Sequence, residues 1–111
     1  MADKNREDLH GKVIRLNDLV EYQNGTIASR MVIVSKAGSI TLFSFDEGEE
    51  ISEHTAPYDA VVTVLEGVCD VTLNLAIFRM KEGETIIFPA HAPHAVKAVT
   101  RFKMMLTMIR E

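Results

Sequence analysis

The sequence predicts an all-β fold, a sandwich or a barrel. From Ala28 onward, apolar residues alternate or cluster in short runs rich in Val, Ile, Thr and Phe. Glycine-containing polar stretches separate these runs at regular intervals. Between Ala28 and Glu111 no window carries apolar residues at helical spacing long enough for a crossover helix, which argues against a parallel α/β architecture.

The elements follow in chain order. Leu16 to Tyr22 reads as a short helical turn, with Asn17 placed as a cap ahead of Asp18 and Leu19. Residues 1–25 are therefore set apart as an irregular or helical N-terminal segment positioned to contact a partner, and residues 26–111 as the barrel. Turn signals at Lys36-Ala37-Gly38, Glu47-Gly48-Glu49, Glu66-Gly67, Lys81-Glu82-Gly83 and Pro89 to Pro93 bound the runs MVIVS, SITLFSF, AVVTVL, VCDVTL, ETIIF and FKMMLTMI. At least six strands are expected. The run from Ser39 to Phe45 is apolar on both faces: Thr41, Phe43 and Phe45 point one way, Ile40 and Leu42 the other. A barrel interior buries one face, and the other needs a second cover. That cover is expected to be a partner subunit, making a homodimer, or else the chain's own N-terminal segment; strand exchange would combine the two.

Composition narrows the function classes. A chain of 111 residues supports one hydrophobic core, and 47% apolar with 25% charged residues is ordinary globular composition. The net charge is −4 and no basic cluster is present, so nucleic acid is not an expected partner. MADKNREDLHGK is polar, and no later segment approaches the run of about 18 apolar residues that a membrane-spanning helix needs. Cys69 is the single cysteine, so no intrachain disulfide can form and a cytoplasmic setting is expected. Cys69 shares a strand side with Val71 and Leu73 and has no recognisable base beside it, which makes it a core residue. No serine elbow or phosphate-binding glycine pattern is present.

Two segments join a glycine turn, a histidine and a strand at fixed spacing. In the first, Gly48 is followed after five residues by His54, and Gly67 closes the frame seven positions after Ala60. In the second, Gly83, Pro89 and His94 keep their mutual spacing, with His91 and Ala98 between and after them. Over roughly Thr26 to Glu111 the chain resembles the small single-domain cupins. That family's first motif runs glycine, His-x-His, glutamate, glycine; its second runs glycine, Pro-x-Gly, histidine, asparagine. The resemblance implies a double-stranded β-helix, the RmlC-like jelly-roll barrel, with a divalent metal such as Fe, Mn, Ni or Zn as the family's cofactor. Ala56 stands where the second histidine would be, Ala60 where the glutamate would be, His91 in place of the second motif's second glycine and Ala98 in place of the asparagine. Of the family's ligands only His54 and His94 are matched, and two neutral imidazoles seldom hold a divalent ion tightly without a third protein ligand.

His91 is the candidate third ligand; its other reading is a turn residue with positive φ, which histidine tolerates. Glu53 and Asp59 have odd parity and, on a continuous strand, face away from His54. The remaining candidate pocket is apolar: Ala56, Ala60, Val62 and Val64 share parity with His54, and Phe102, Met104, Leu106 and Met108 form one face of the last strand. Tyr58, beside Pro57, is placed to hang over the barrel mouth. Three function classes follow. The first is a small-molecule-binding cupin with its ligand beside His54 and His94, motivated by the missing ligands. The second is a metal-dependent cupin enzyme, an oxygenase or isomerase using His54, His94 and His91, motivated by the retained histidines. The third is a dimeric structural module with a filled interior.

Overall fold

The computed structural model describes residues 8–110; the first seven residues of the expected N-terminal segment and Glu111 lie outside the described residues. Nine strands are present among them: β1 (Ile27–Ser35), β2 (Gly38–Phe45), β3 (Glu50–His54), β4 (Asp59–Glu66), β5 (Val68–Leu73), β6 (Ala76–Lys81), β7 (Thr85–Phe88), β8 (His94–Ala98) and β9 (Phe102–Ile109). The six expected runs correspond to β1, β2, β4, β5, β7 and β9; the three shorter or more polar strands β3, β6 and β8 complete the set.

The strands form two antiparallel sheets, one in the order β1-β2-β9-β4-β7 and the other β3-β8-β5-β6. Alternation explains the packing: Ala60, Val62 and Val64 from β4, Cys69 and Val71 from β5, and Val96 and Ala98 from β8 point inward and are buried. Phe45 and Phe102, paired in register on β2 and β9, stack with ring centroids 4.5 Å apart at one end of this core. Gly67 lies at the same end. A Cβ there would come within 2.1 Å of the Arg101 carbonyl oxygen, and φ is +80°, so both the approach of the chains and the backbone conformation call for glycine.

The outer face of β2 is covered in part by the chain's own N-terminal segment, the second of the two covers open to the sequence. The Ser44 hydroxyl donates to the Glu21 carbonyl (2.7 Å) and the Lys103 ammonium to the Asn17 carbonyl (2.6 Å), while Leu42 and Val20 are buried. Leu16–Leu19 forms a 3-10 turn where helical structure was expected, but Asn17 does not cap it. Arg15 holds the cap position without a side-chain hydrogen bond, and the Asn17 amide donates instead to Glu66 (2.9 Å) and the Leu65 carbonyl. Tyr22 also donates to Glu66, and that bond, followed by the one from Asn17, holds the carboxyl below its ordinary pKa. Ile33, which lines a cleft with Leu9, His10 and Ile14 of that segment, remains partly exposed, as do Ile87 and Ile109. No helix among the described residues is long and apolar enough to cross a membrane.

Candidate functional site

β3 and β8 pair so that Glu50 faces Lys97, Ile51 faces Val96 and His54 faces His94. Three residues of β3 thus span two of β8, a β-bulge that leaves Ser52 and Glu53 out of the regular ladder. The bulge breaks the period of two, so that odd Ile51 and even His54 both share the face of Val96 and His94. It is this register that brings the two imidazoles together. Their centroids are 4.3 Å apart, edge to face.

The two rings have different surroundings. His94 is 6% exposed and lies flat on Phe88, with centroids 4.2 Å apart and planes 15° from parallel. His54 sits at the exposed rim. Each ring turns Nδ1 toward a backbone carbonyl two residues earlier, His54 to Ser52 (2.9 Å) and His94 to Ala92 (3.0 Å). A carbonyl oxygen only accepts, so in each neutral ring Nδ1 carries the proton and Nε2 presents a lone pair. Neither Nε2 has a hydrogen-bond partner among the described residues. Burial holds the His94 pKa below its ordinary value against the opposing bond to the Ala92 carbonyl, and the neighbouring His54 lowers it further.

Phe88 is the site residue that sequence reasoning missed. It closes β7 just before Pro89 and belongs to the sheet opposite His94, and its cross-strand neighbour is Ala60. The one available signal was its parity with Ile86, inside a run already read as a strand.

The other expected site residues scatter. Ala60 and Val62 line the inner face of β4, with Ala60 level with Phe88 and therefore nearest the histidines. Phe102 and Met104 are 0% and 2% exposed and belong to the other end of the core. Met108 rather than Phe102 is the β9 residue paired with Ala60, and six residues of strand put Phe102 roughly 20 Å further along. Ala56 contributes a carbonyl, which accepts from the His91 backbone N–H (2.7 Å). His91 is exposed and has φ +70°, the left-handed conformation that its place in the motif implied. Tyr58 lies in a rim cleft of about 330 Å³ with Pro57, Asp59, Ala90 and Ile109, and the Arg110 guanidinium stands 5.4 Å from its ring centroid. Asp59 is engaged with the Ala90 N–H (2.9 Å). Cys69 is fully buried, and burial pushes its thiol up to about 12, which keeps it from acting as a nucleophile.

Among the described residues no three His, Cys, Asp or Glu side chains gather closely enough to hold a metal ion. His91 therefore does not complete a set with His54 and His94, and no carboxylate replaces it. The donor set does not fit a metal centre of three or more protein ligands.

The structure is similar to that of a conserved protein of unknown function from Streptococcus pyogenes, with a TM-score of 0.88 and 38% identity over 97% of this chain and 93% of that one. It is similar to a cupin superfamily protein from Desulfitobacterium hafniense at a TM-score of 0.86 and 27% identity, covering 91% and 93% of the two chains. A cupin 2 conserved barrel domain protein from Leptotrichia buccalis matches at a TM-score of 0.84 and 38% identity, over 87% of this chain and 47% of that chain. None of the curated proteins matches the sequence. Residues 41–110 match the family described as the cupin domain, and with the two-sheet barrel and its framed histidines the chain belongs to the cupin family.

Proposed function

We propose that the protein is a small-molecule-binding cupin whose ligand enters at the His54 end of the barrel and contacts both imidazoles. The observation that carries this reading is the in-register contact of one rim-exposed and one buried histidine, the buried one backed by an aromatic ring. The His94 ring is largely buried while its Nε2 has no partner among the described residues, so a guest that supplies a donor there gains a hydrogen bond. A cytoplasmic setting and self-association through the uncovered part of the outer sheet face belong to the same proposal.

Metal analysis of untagged protein, with His54→Ala and His94→Ala alongside, tests the reading. Absence of stoichiometric metal, and a melting temperature unmoved by added Fe, Mn, Ni or Zn, is the expected result, since a ligand that binds only the folded state raises stability. Stoichiometric metal lost in both variants would replace the proposal with the metal-dependent oxygenase or isomerase. Failure of xenon and small aromatic probes to enter the barrel would leave the structural module.

A further inference from the structure

We infer that the ligand met by His54 and His94 is a neutral hydroxyl donor with an apolar body, an alcohol or phenol rather than an anion or an ammonium ion. The inference rests on the proposed binding site and adds the chemistry of what fills it. Both Nδ1 atoms are committed to carbonyls, so two Nε2 lone pairs stand in neighbouring rings with nothing among the described residues to bond to them. A ligand that takes the place of water there must bring hydrogen to them.

Charge decides which kind of donor. An ammonium ion taken out of water needs an opposing carboxylate, and none gathers with the imidazole pair among the described residues. A carboxylate or phosphate ligand would set its own lone pairs against the two Nε2 atoms. A neutral hydroxyl satisfies the acceptors without bringing a charge into the site. The surroundings of His94 are otherwise apolar: Phe88 lies against its face, and Leu73 is its register partner on β5. Such walls take a hydrocarbon ring or chain more readily than a polyol. In the cupin frame, the alanines at positions 56 and 60 remove both the family's second imidazole and its negative charge. The remaining pair changes from a cation-holding set into a neutral acceptor pair.

The test uses matched probes of one shape: benzyl alcohol and phenol as donors, anisole as the ether that cannot donate, benzoate as the anion and benzylamine as the cation. Binding is followed by amide and imidazole NMR shifts on the full chain. The alcohol and phenol are expected to bind about tenfold more tightly than anisole, the difference made by one hydrogen bond to an imidazole nitrogen that the ether cannot donate. His94→Phe keeps a flat ring on Phe88 while removing the acceptor, and should erase that preference; His94→Gln, with a carbonyl acceptor, should restore part of it. His54→Phe provides the same comparison at the exposed rim, where folding is not at risk. Long-range ¹⁵N spectra should show the proton on Nδ1 of both rings. Equal binding of anisole and benzyl alcohol, preference for benzoate or benzylamine, or protonation on Nε2 overturns the inference while leaving the binding site in place. If no probe shifts the resonances of His54, His94 or Phe88, the binding site itself fails and the inference with it.

Discussion

His54 and His94 face each other in register yet respond to different environments, and substitution should separate them. His94→Ala removes a buried ring stacked on Phe88 and should cost about 1 to 3 kcal/mol in urea unfolding, through the cavity and the lost contact. His54→Ala, at the rim, should stay within about 0.5 kcal/mol in the same measurement. The same contrast governs pH. The folded pKa of His94 lies below its ordinary 6.5, chiefly through burial, so between those two values the unfolded chain binds more protons than the folded one. Stability should therefore fall as pH drops through 6.5 toward the folded value, and His94→Phe should flatten that slope. Both histidines were legible in the sequence because the distance from a turn glycine is a property of the chain. So was the left-handed backbone at His91, since it stands where the motif has glycine. Phe88 was not legible as a neighbour of His94, because the contact joins two sheets and no spacing along the chain records it.

Among the elements, alternation revealed the strands that bury one full face and concealed those that do not. β6 carries Ile77 and Phe78 side by side at a sheet edge, both exposed, so no alternation marks it. β3 is mostly exposed and contains the bulge, so a strict period of two does not carry across Ser52 and Glu53 from Ile51 to His54. The turn after β4 was legible from Gly67, and its demand can be measured. Gly67→Ala should cost roughly 2 kcal/mol or more, because strain at positive φ adds to the clash with Arg101 and Phe102. Gly83→Ala, at φ +86° in open space, should lose about 1 kcal/mol, the conformational part alone. Calorimetry of the two proteins separates the terms. The loop after β2 adds an acid-sensitive latch: Asp46 accepts from the Arg101 guanidinium (2.8 Å) and from the Gly25 and Glu47 N–H groups, holding its pKa down to about 2. Its contribution is present above 3.8 and lost as pH falls through about 2. An acid titration of Asp46→Asn should lack that loss, having forfeited the contribution already at neutral pH.

At the scale of the whole molecule, the two-faced apolar character of β2 was visible in the sequence, but the share of each cover was not, since it depends on where the N-terminal segment lies. That segment seals the end near Ser44 and Lys103. Further along the same outer face, register aligns Ile33, Ile40, Thr107, Val61 and Ile87 in a row across all five strands. A second copy of the chain is proposed to cover this row. Light scattering should then give twice the 12.4 kDa chain mass, and Ile33→Lys with Ile87→Lys should return it to 12.4 kDa. A monomer before substitution would rule the pairing out. The surplus residue in β3 carries a consequence for the chain's length. Ser52 and Glu53 together stand opposite Ala95, and His54 Nδ1 reaches back across Glu53 to the Ser52 carbonyl. Shortening the chain by Glu53 alone would leave one residue opposite Ala95 and keep His54 across from His94, but would set Ser52 directly before the ring; without its carbonyl two positions back, the rim imidazole would be free to move its proton to the other nitrogen.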